Sequence, residues 1–191
     1  MSTAIILLLA FSVQATADEI TNSLEEALKQ YKAGNFSSAA TSVDYASQMI
    51  RQKRAESLET FLPKPLSGWN ADSAVSRTID PAMMGGGVFV EKRYYRGTSS
   101  VIVKIVTDSP MMQSVMMMFT NPMFLSASGG KIEKIKGEKA IIEYNPYNMS
   151  GEIKVLVQDR VLVTITASGA TKEDMLAYAD NIEYPKLVKA F

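Results

Sequence analysis

"GEIKVLVQDRVLVTITAS", Gly151 to Ser168, is the stretch that decides how this chain folds. Ile153, Val155 and Val157 fall on one side of its first run; Val161, Val163, Ile165 and Ala167 fall on one side of its second. A period of two is the period of a strand with one buried face. The polar break at Asp159 reads as the turn between two such strands. The segment therefore reads as an antiparallel hairpin that turns one face to a core and the other away from it.

The same pattern recurs upstream. "GVFVEKRYY" (Gly87 to Tyr95) and "SVIVKIVTD" (Ser100 to Asp108) flank Arg96-Gly97-Thr98, a second hairpin turn. "KIEKIK" and "EKAIIEYN" flank Gly137. A weaker strand is expected at Ala74 to Ile79. Downstream, Thr171-Lys172-Glu173-Asp174 resembles a capping box with Asp in the fourth place, opening a helix through about Ala179. The run "GEIKVLVQDRVLVTITASGATKEDMLAYADNIEY", a final hairpin and then a capped helix, resembles periplasmic Mog1/PsbP/DcrB-like α+β domains. The resemblance carries no catalytic motif, so what it implies is a fold and not an activity.

Before the strands the period is helical. In "DEITNSLEEALKQYKAGNFSSAATSVDYASQMIRQKRAESLETFLP", Leu24, Leu28 and Tyr31 form an i, i+4, i+7 stripe. Gly34-Asn35 breaks it as a C-cap would. Ser37 or Ser38 can cap a second helix carrying Ala39, Val43, Ala46 and Ile50. Pro63 and Pro65 forbid continuation. Gly34-x-Phe36-x-x-Ala39 with Ala46 resembles the turn of one tetratricopeptide-type hairpin, a family whose repeats line peptide-binding grooves. A lone repeat cannot bury its own face. The hairpin is thus expected to dock on its own domain or on a twin subunit, which makes it the place where a homo-oligomer would form.

The N-terminal "MSTAIILLLAFSVQATA" has an apolar run from Ala4 to Val13 and an Ala15-Thr16-Ala17 cleavage pattern. It reads as a secretory signal peptide cut near Ala17, although it has no Lys or Arg before the apolar run. The run falls short of the roughly 20 residues that span a bilayer. No cysteine follows it, so a lipid anchor is excluded. The expected organisation is a signal peptide at 1–17, a helical hairpin at 18–62, a linker at 63–73 carrying Trp69, and an antiparallel sheet domain at 74–191. The fold class is α+β, with two or more helices packed on the sheet. The expected location is periplasmic or secreted.

Composition removes several chemistries. The chain has no Cys and no His. Disulfides, thiolate nucleophiles, a Ser-His-Asp constellation and the commonest metal ligand are all excluded. Lys+Arg and Asp+Glu balance at 20 each, and no basic stripe suggests nucleic acid. No cofactor is implied. Any enzyme would have to use carboxylates, Lys or Tyr. Glu91, Asp108, Glu133, Glu143, Glu152 and Asp159 are the candidate carboxylates, and no spacing singles out a pair. Glu133 and Glu152 are expected to face water. "YNPYN", Tyr144 to Asn148, reads as a turn.

One motif stands out. "SPMMQSVMMMFTNPMF", Ser109 to Phe124, holds six of the chain's 12 methionines. Ser109 is a good N-cap, Pro110 a good first residue, and Asn121-Pro122 a stop, so a helix is expected over about Pro110 to Thr120. Met111, Met112, Val115, Met116, Met118 and Phe119 fill its apolar arc; Met117 falls among Gln113, Ser114 and Thr120. The arc is expected to serve a hydrophobic ligand or a protein partner, with Met83 and Met84 contributing from the "MMGGGVF" segment. That glycine run leads into a strand without a lysine at phosphate-loop spacing, so a loop or irregular strand entry is expected there. An alternative reading is a Cu(I)/Ag(I) site built from Met112, Met116, Met83 and Met84, since thioethers suit soft ions. A carboxylate-dependent enzyme is the third. The leading expectation is an exported, non-catalytic binding or accessory protein.

Overall fold

The computed structural model describes residues 11–78, 86–107, 109, 111–120 and 130–190. Met83 and Met84 lie outside the described residues, as do Asp108, Pro110 and Asn121 to Phe124. The chain divides into two compact units, Met1–Lys53 and Arg54–Phe191.

The first unit is helical. Helix α1 runs over Phe11–Lys32 and α2 over Phe36–Leu58. The turn between them uses Gly34 at φ +79°, a left-handed backbone that glycine adopts at no steric cost. Small residues, Ala27 and Ala39, are buried. Ser23 donates to the Ser42 carbonyl at 2.9 Å, and Tyr45 donates to the Glu19 carboxylate at 2.5 Å, so the two helices run back along each other. The described part of α1 includes Phe11 to Ala17, residues of the stretch read as a leader. No helix among the described residues is long and apolar enough to cross a membrane.

The second unit is an antiparallel sheet of eight strands: β1 (Asn70–Ala71), β2 (Val75–Thr78), β3 (Val88–Arg96), β4 (Ser99–Thr107), β5 (Lys131–Ile135), β6 (Glu138–Asn145), β7 (Ser150–Val157) and β8 (Val161–Ser168). The spatial order is β1, β3, β4, β8, β7, β6, β5, with β2 also paired to β3. The expected strands and turns are all present. The sheet adds one thing that local reading does not supply: β4 pairs with β8, so two hairpin groups distant in sequence meet at its centre. Helix α3 (Met111–Thr120) lies on the connection from β4 to β5, strands that flank β8, β7 and β6.

One face of the sheet is sealed. Val103, Ile165 and Ile153 stand side by side across β4, β8 and β7, as do Ile105, Val163 and Val155. All are fully buried. Against them pack α4 (Lys172–Asp180) and α5 (Tyr184–Lys189), through Met175, Tyr178, Ile182, Tyr184 and Leu187. The predicted capping box is formed: Thr171 accepts from the Asp174 N–H at 3.1 Å, and Asp174 accepts from the Thr171 N–H at 3.2 Å. Asp174 also takes Arg96 at 3.0 Å, tying the β3–β4 turn to α4.

The stretch read as a linker, 63–73, is built into this unit. Trp69 is buried in the core, with the Arg96 guanidinium 4.7 Å over its ring and Tyr178 5.6 Å away in an edge-to-face contact. β1 pairs Asn70 with Tyr95, and Tyr94 donates to the Pro63 carbonyl at 2.6 Å. The last turn of α2 joins the same core through Ala55 and Leu58. The compact unit therefore starts inside α2, earlier than residue 74.

A candidate ligand-binding trough on the open face of the sheet

The residues that alternate with the sealed core form the other face, and cross-strand register arranges them in rows. Phe89, Val106, Leu162 and Leu156 make the first row. Glu91, Lys104, Thr164 and Lys154 make the second. Arg93, Ile102, Thr166 and Glu152 make the third. Successive rows lie about 7 Å apart along the strands. The face therefore grades from apolar to charged.

Helix α3 covers only the apolar end. Met112 and Phe119 are buried there with Ile141 and Leu156, and Val115, Met116, Met118 and Leu162 pack around them. Met117 is 62% exposed, as its place among the polar residues predicts. The described part of the apolar arc is thus a real packing face, and Met112 and Met116 press against isoleucine and leucine side chains. Among the described methionine side chains of this set, Met112 lines the pocket beneath the helix.

That cavity is a pocket of about 580 Å³ between α3 and the open face. Met112, Val115 and Ser109 form its wall; Phe89, Val106 and Leu162 form the apolar floor; Glu91, Lys104, Glu152, Ile102, Thr164 and Thr166 form the polar end. Its volume lies within the roughly 300–1,000 Å³ of small-molecule sites. A shallower depression of about 720 Å³ shares Glu152 and Thr166 with it and runs on to the Tyr144–Tyr147 turn.

Two glycines shape this face. Gly87, at φ +124°, enters β3 where the chain passes the start of α3; a β-carbon there would lie 3.1 Å from the Thr107 carbonyl and 3.3 Å from Ser109. Gly86 and Gly87 thus form an irregular strand entry, and Gly87 lets two backbones approach. Gly151 lies opposite Tyr144 across β6 and β7, and a β-carbon there would collide with the Glu143 carbonyl.

Ion pairs cross the polar end. Lys104 lies 3.4 Å from Glu91 and 4.4 Å over the Phe89 ring. Lys154 contacts Glu152. Burial pulls the Lys154 ammonium below the usual lysine range, and the charge of Glu143 opposes that shift. Glu152 was expected to face water. It is instead partly covered and lines the pocket, because alternation excludes a residue from one face without saying what stands over the other. Glu133 is exposed and sits 3.6 Å from Lys172. Among the described residues, no group of three or more Asp or Glu side chains is placed to hold a metal ion.

Most floor residues were missed by motif reading. A signal existed: "VFV", "SVIVKIV" and "RVLV" are apolar at consecutive positions, and a strand apolar on both sides has something to cover on both.

A second apolar groove, about 520 Å³, lies between α1 and α2 and is lined by Leu24, Leu28, Tyr31, Phe36 and Val43. Tyr31 and Phe36 meet edge to face at 5.7 Å.

Compared with known proteins, the chain matches no family model, no curated protein and no solved structure.

Proposed function

We propose that this is an exported, non-catalytic binding protein that holds the apolar part of a small ligand in the trough between α3 and the open face of the sheet. The observation that carries the proposal is the pocket of about 580 Å³ with Met112 and Val115 on one side and Phe89, Val106 and Leu162 on the other. A helix serving only as core filler would sit down on all the apolar residues of the face beneath it. α3 leaves half-buried Phe89 and Val106, and 38%-exposed Ile102, facing space. Methionine on the wall supports a site that adapts to its occupant, because an unbranched thioether repacks with little strain. The lack of His and Cys supports a binding role over a catalytic one. The secretory reading of residues 1–17 supports export.

The test is binding of the fluorescent apolar probe N-phenylnaphthylamine to purified protein. A saturable signal is expected, and Val115→Trp, which fills the wall side of the pocket, should remove it. A signal unaffected by Val115→Trp, or none at all, would overturn the proposal.

A further inference from the structure

Resting on that reading, we infer that the ligand is a single-chain amphiphile with a zwitterionic head: its chain lies on the apolar row under α3, and its head sits on Lys104 and Glu152. The apolar strip is one row deep, about 7 Å along the strands, before the floor turns charged. That accommodates one chain, not two abreast.

The charges choose the head. Lys104 is the one cation lining the pocket among the described residues, and Glu91 and Glu152 line it too. A simple anion brought to Lys104 also meets Glu91, 3.4 Å from the ammonium. A simple cation brought to the carboxylates meets Lys104 and, behind Glu152, Lys154. A head carrying both signs brings its own counter-charge: its anionic group lies at Lys104, its cationic group at Glu152, and each charge of the head offsets the repulsion that Glu91 or Lys154 exerts on a lone ion. The Thr164 hydroxyl, in register between Lys104 and Lys154, and that of Thr166, in register with Glu152, supply hydrogen bonds between the two ends. Opposed pairs of this kind discriminate more through the charge they reject than through the charge they attract.

The experiment uses three soluble amphiphiles that share a dodecyl chain and differ in the head: dodecylphosphocholine, dodecanoate and dodecyltrimethylammonium. Each is titrated below its micelle concentration, with displacement of N-phenylnaphthylamine as readout. The phosphocholine is expected to bind roughly tenfold more tightly than either of the others, a difference of about 1.4 kcal/mol. Lys104→Met and Glu152→Gln should each collapse that ratio toward one. Equal affinities, preference for a singly charged head, or a preference that both variants retain would overturn the inference. If the probe itself fails to bind, the proposed function falls with it; if the probe binds and the heads are not distinguished, only the assignment of the head falls.

Discussion

The two faces of one sheet are built from the same strands, one residue apart, and they do different work. On the sealed face the two central rows, Val103–Ile165–Ile153 and Ile105–Val163–Val155, are branched aliphatic throughout. The large polar-tipped residues there satisfy their hydroxyls within the fold: Tyr94 donates to Pro63, and Tyr184 donates to Ala179 at 2.8 Å. On the open face the rows change character within two residues along β3, β4, β8 and β7, and α3 covers the apolar end, Leu156 with its neighbour Ile141. A uniform face can be closed by any helix with an apolar stripe. A graded face cannot be closed by one without burying charge, which costs more than the apolar contact returns. The exposed gradient is therefore the surface that the proposed ligand would use.

The largest expected effect is on core packing. Ile165→Ala, fully buried between Val103 and Ile153, should cost about 2–5 kcal/mol. Leu162→Ala, three positions earlier on the open face and half-buried, should cost about 1 kcal/mol, an ordinary figure for a point change. Urea unfolding of both variants measures the difference. Equal losses would mean that the open face carries as much of the fold as the sealed one, and the division proposed between them would fail.

The same contrast has a pH signature. Burial pushes the Tyr178 phenol up to about 12, and burial also raises Tyr94 and Tyr184 well above the ordinary tyrosine value. A phenol is neutral when protonated, so a raised folded pKa means that the folded state holds the proton longer. The stability is fully present below the unfolded pKa of about 10 and is lost as pH rises toward the folded values. Lys154, on the open face, works the other way: its lowered pKa gives a gain as pH rises toward the unfolded lysine value. The tyrosines belong to the core, so unfolding midpoints should stay level to about pH 10 and fall steeply from there toward pH 12. Tyr184→Phe should make that fall shallower. A midpoint that falls as steeply in this variant would show that the buried phenol does not govern the alkaline limit.

A smaller effect tests how α4 is held on the sealed face. Thr171→Ala removes the hydroxyl that accepts from the Asp174 N–H and should cost about 0.5–2 kcal/mol. Asp174 keeps its contact with Arg96, so the loss should fall short of that for Ile165→Ala. Thermal unfolding of the two variants side by side checks the order.

Strands, turns, capping box and methionine helix were legible because each is written locally, in period, capping residues and stops. The sealed face followed from Ile153, Val155 and Val157 against Val161, Val163 and Ile165. Trp69 was not legible as core, because its burial depends on Arg96 and Tyr178, distant in sequence, and β1 is only two residues long. Nor was the trough. It arises from β4 meeting β8, which aligns Lys104 with Thr164 and places Glu152 in the next row. No local pattern states that pairing. The methionine helix was found in the right place, but of its described thioethers only Met112 lines the pocket; the others have packing partners or, in Met117, solvent.

The smallest expected effect concerns the helical hairpin. Leu28 is 53% exposed and Tyr31 62%, so the stripe that periodicity marks as a packing face stands open. An exposed leucine contributes little to the unit that carries it. Leu28→Glu should change unfolding free energy by no more than about 0.5 kcal/mol, and it introduces no charge into a core. The helix pattern gave a reason to look for a twin subunit at this stripe, and the same variant reports on it through the mass measured by light scattering. If the parent chain is an oligomer and Leu28→Glu is a monomer of unchanged fold, the stripe is where copies meet. If both have the monomer mass, the hairpin's apolar groove does not join copies. If Leu28→Glu unfolds the protein, the exposed stripe is part of a core, and the contrast between sealed and open surfaces does not extend to the helical unit.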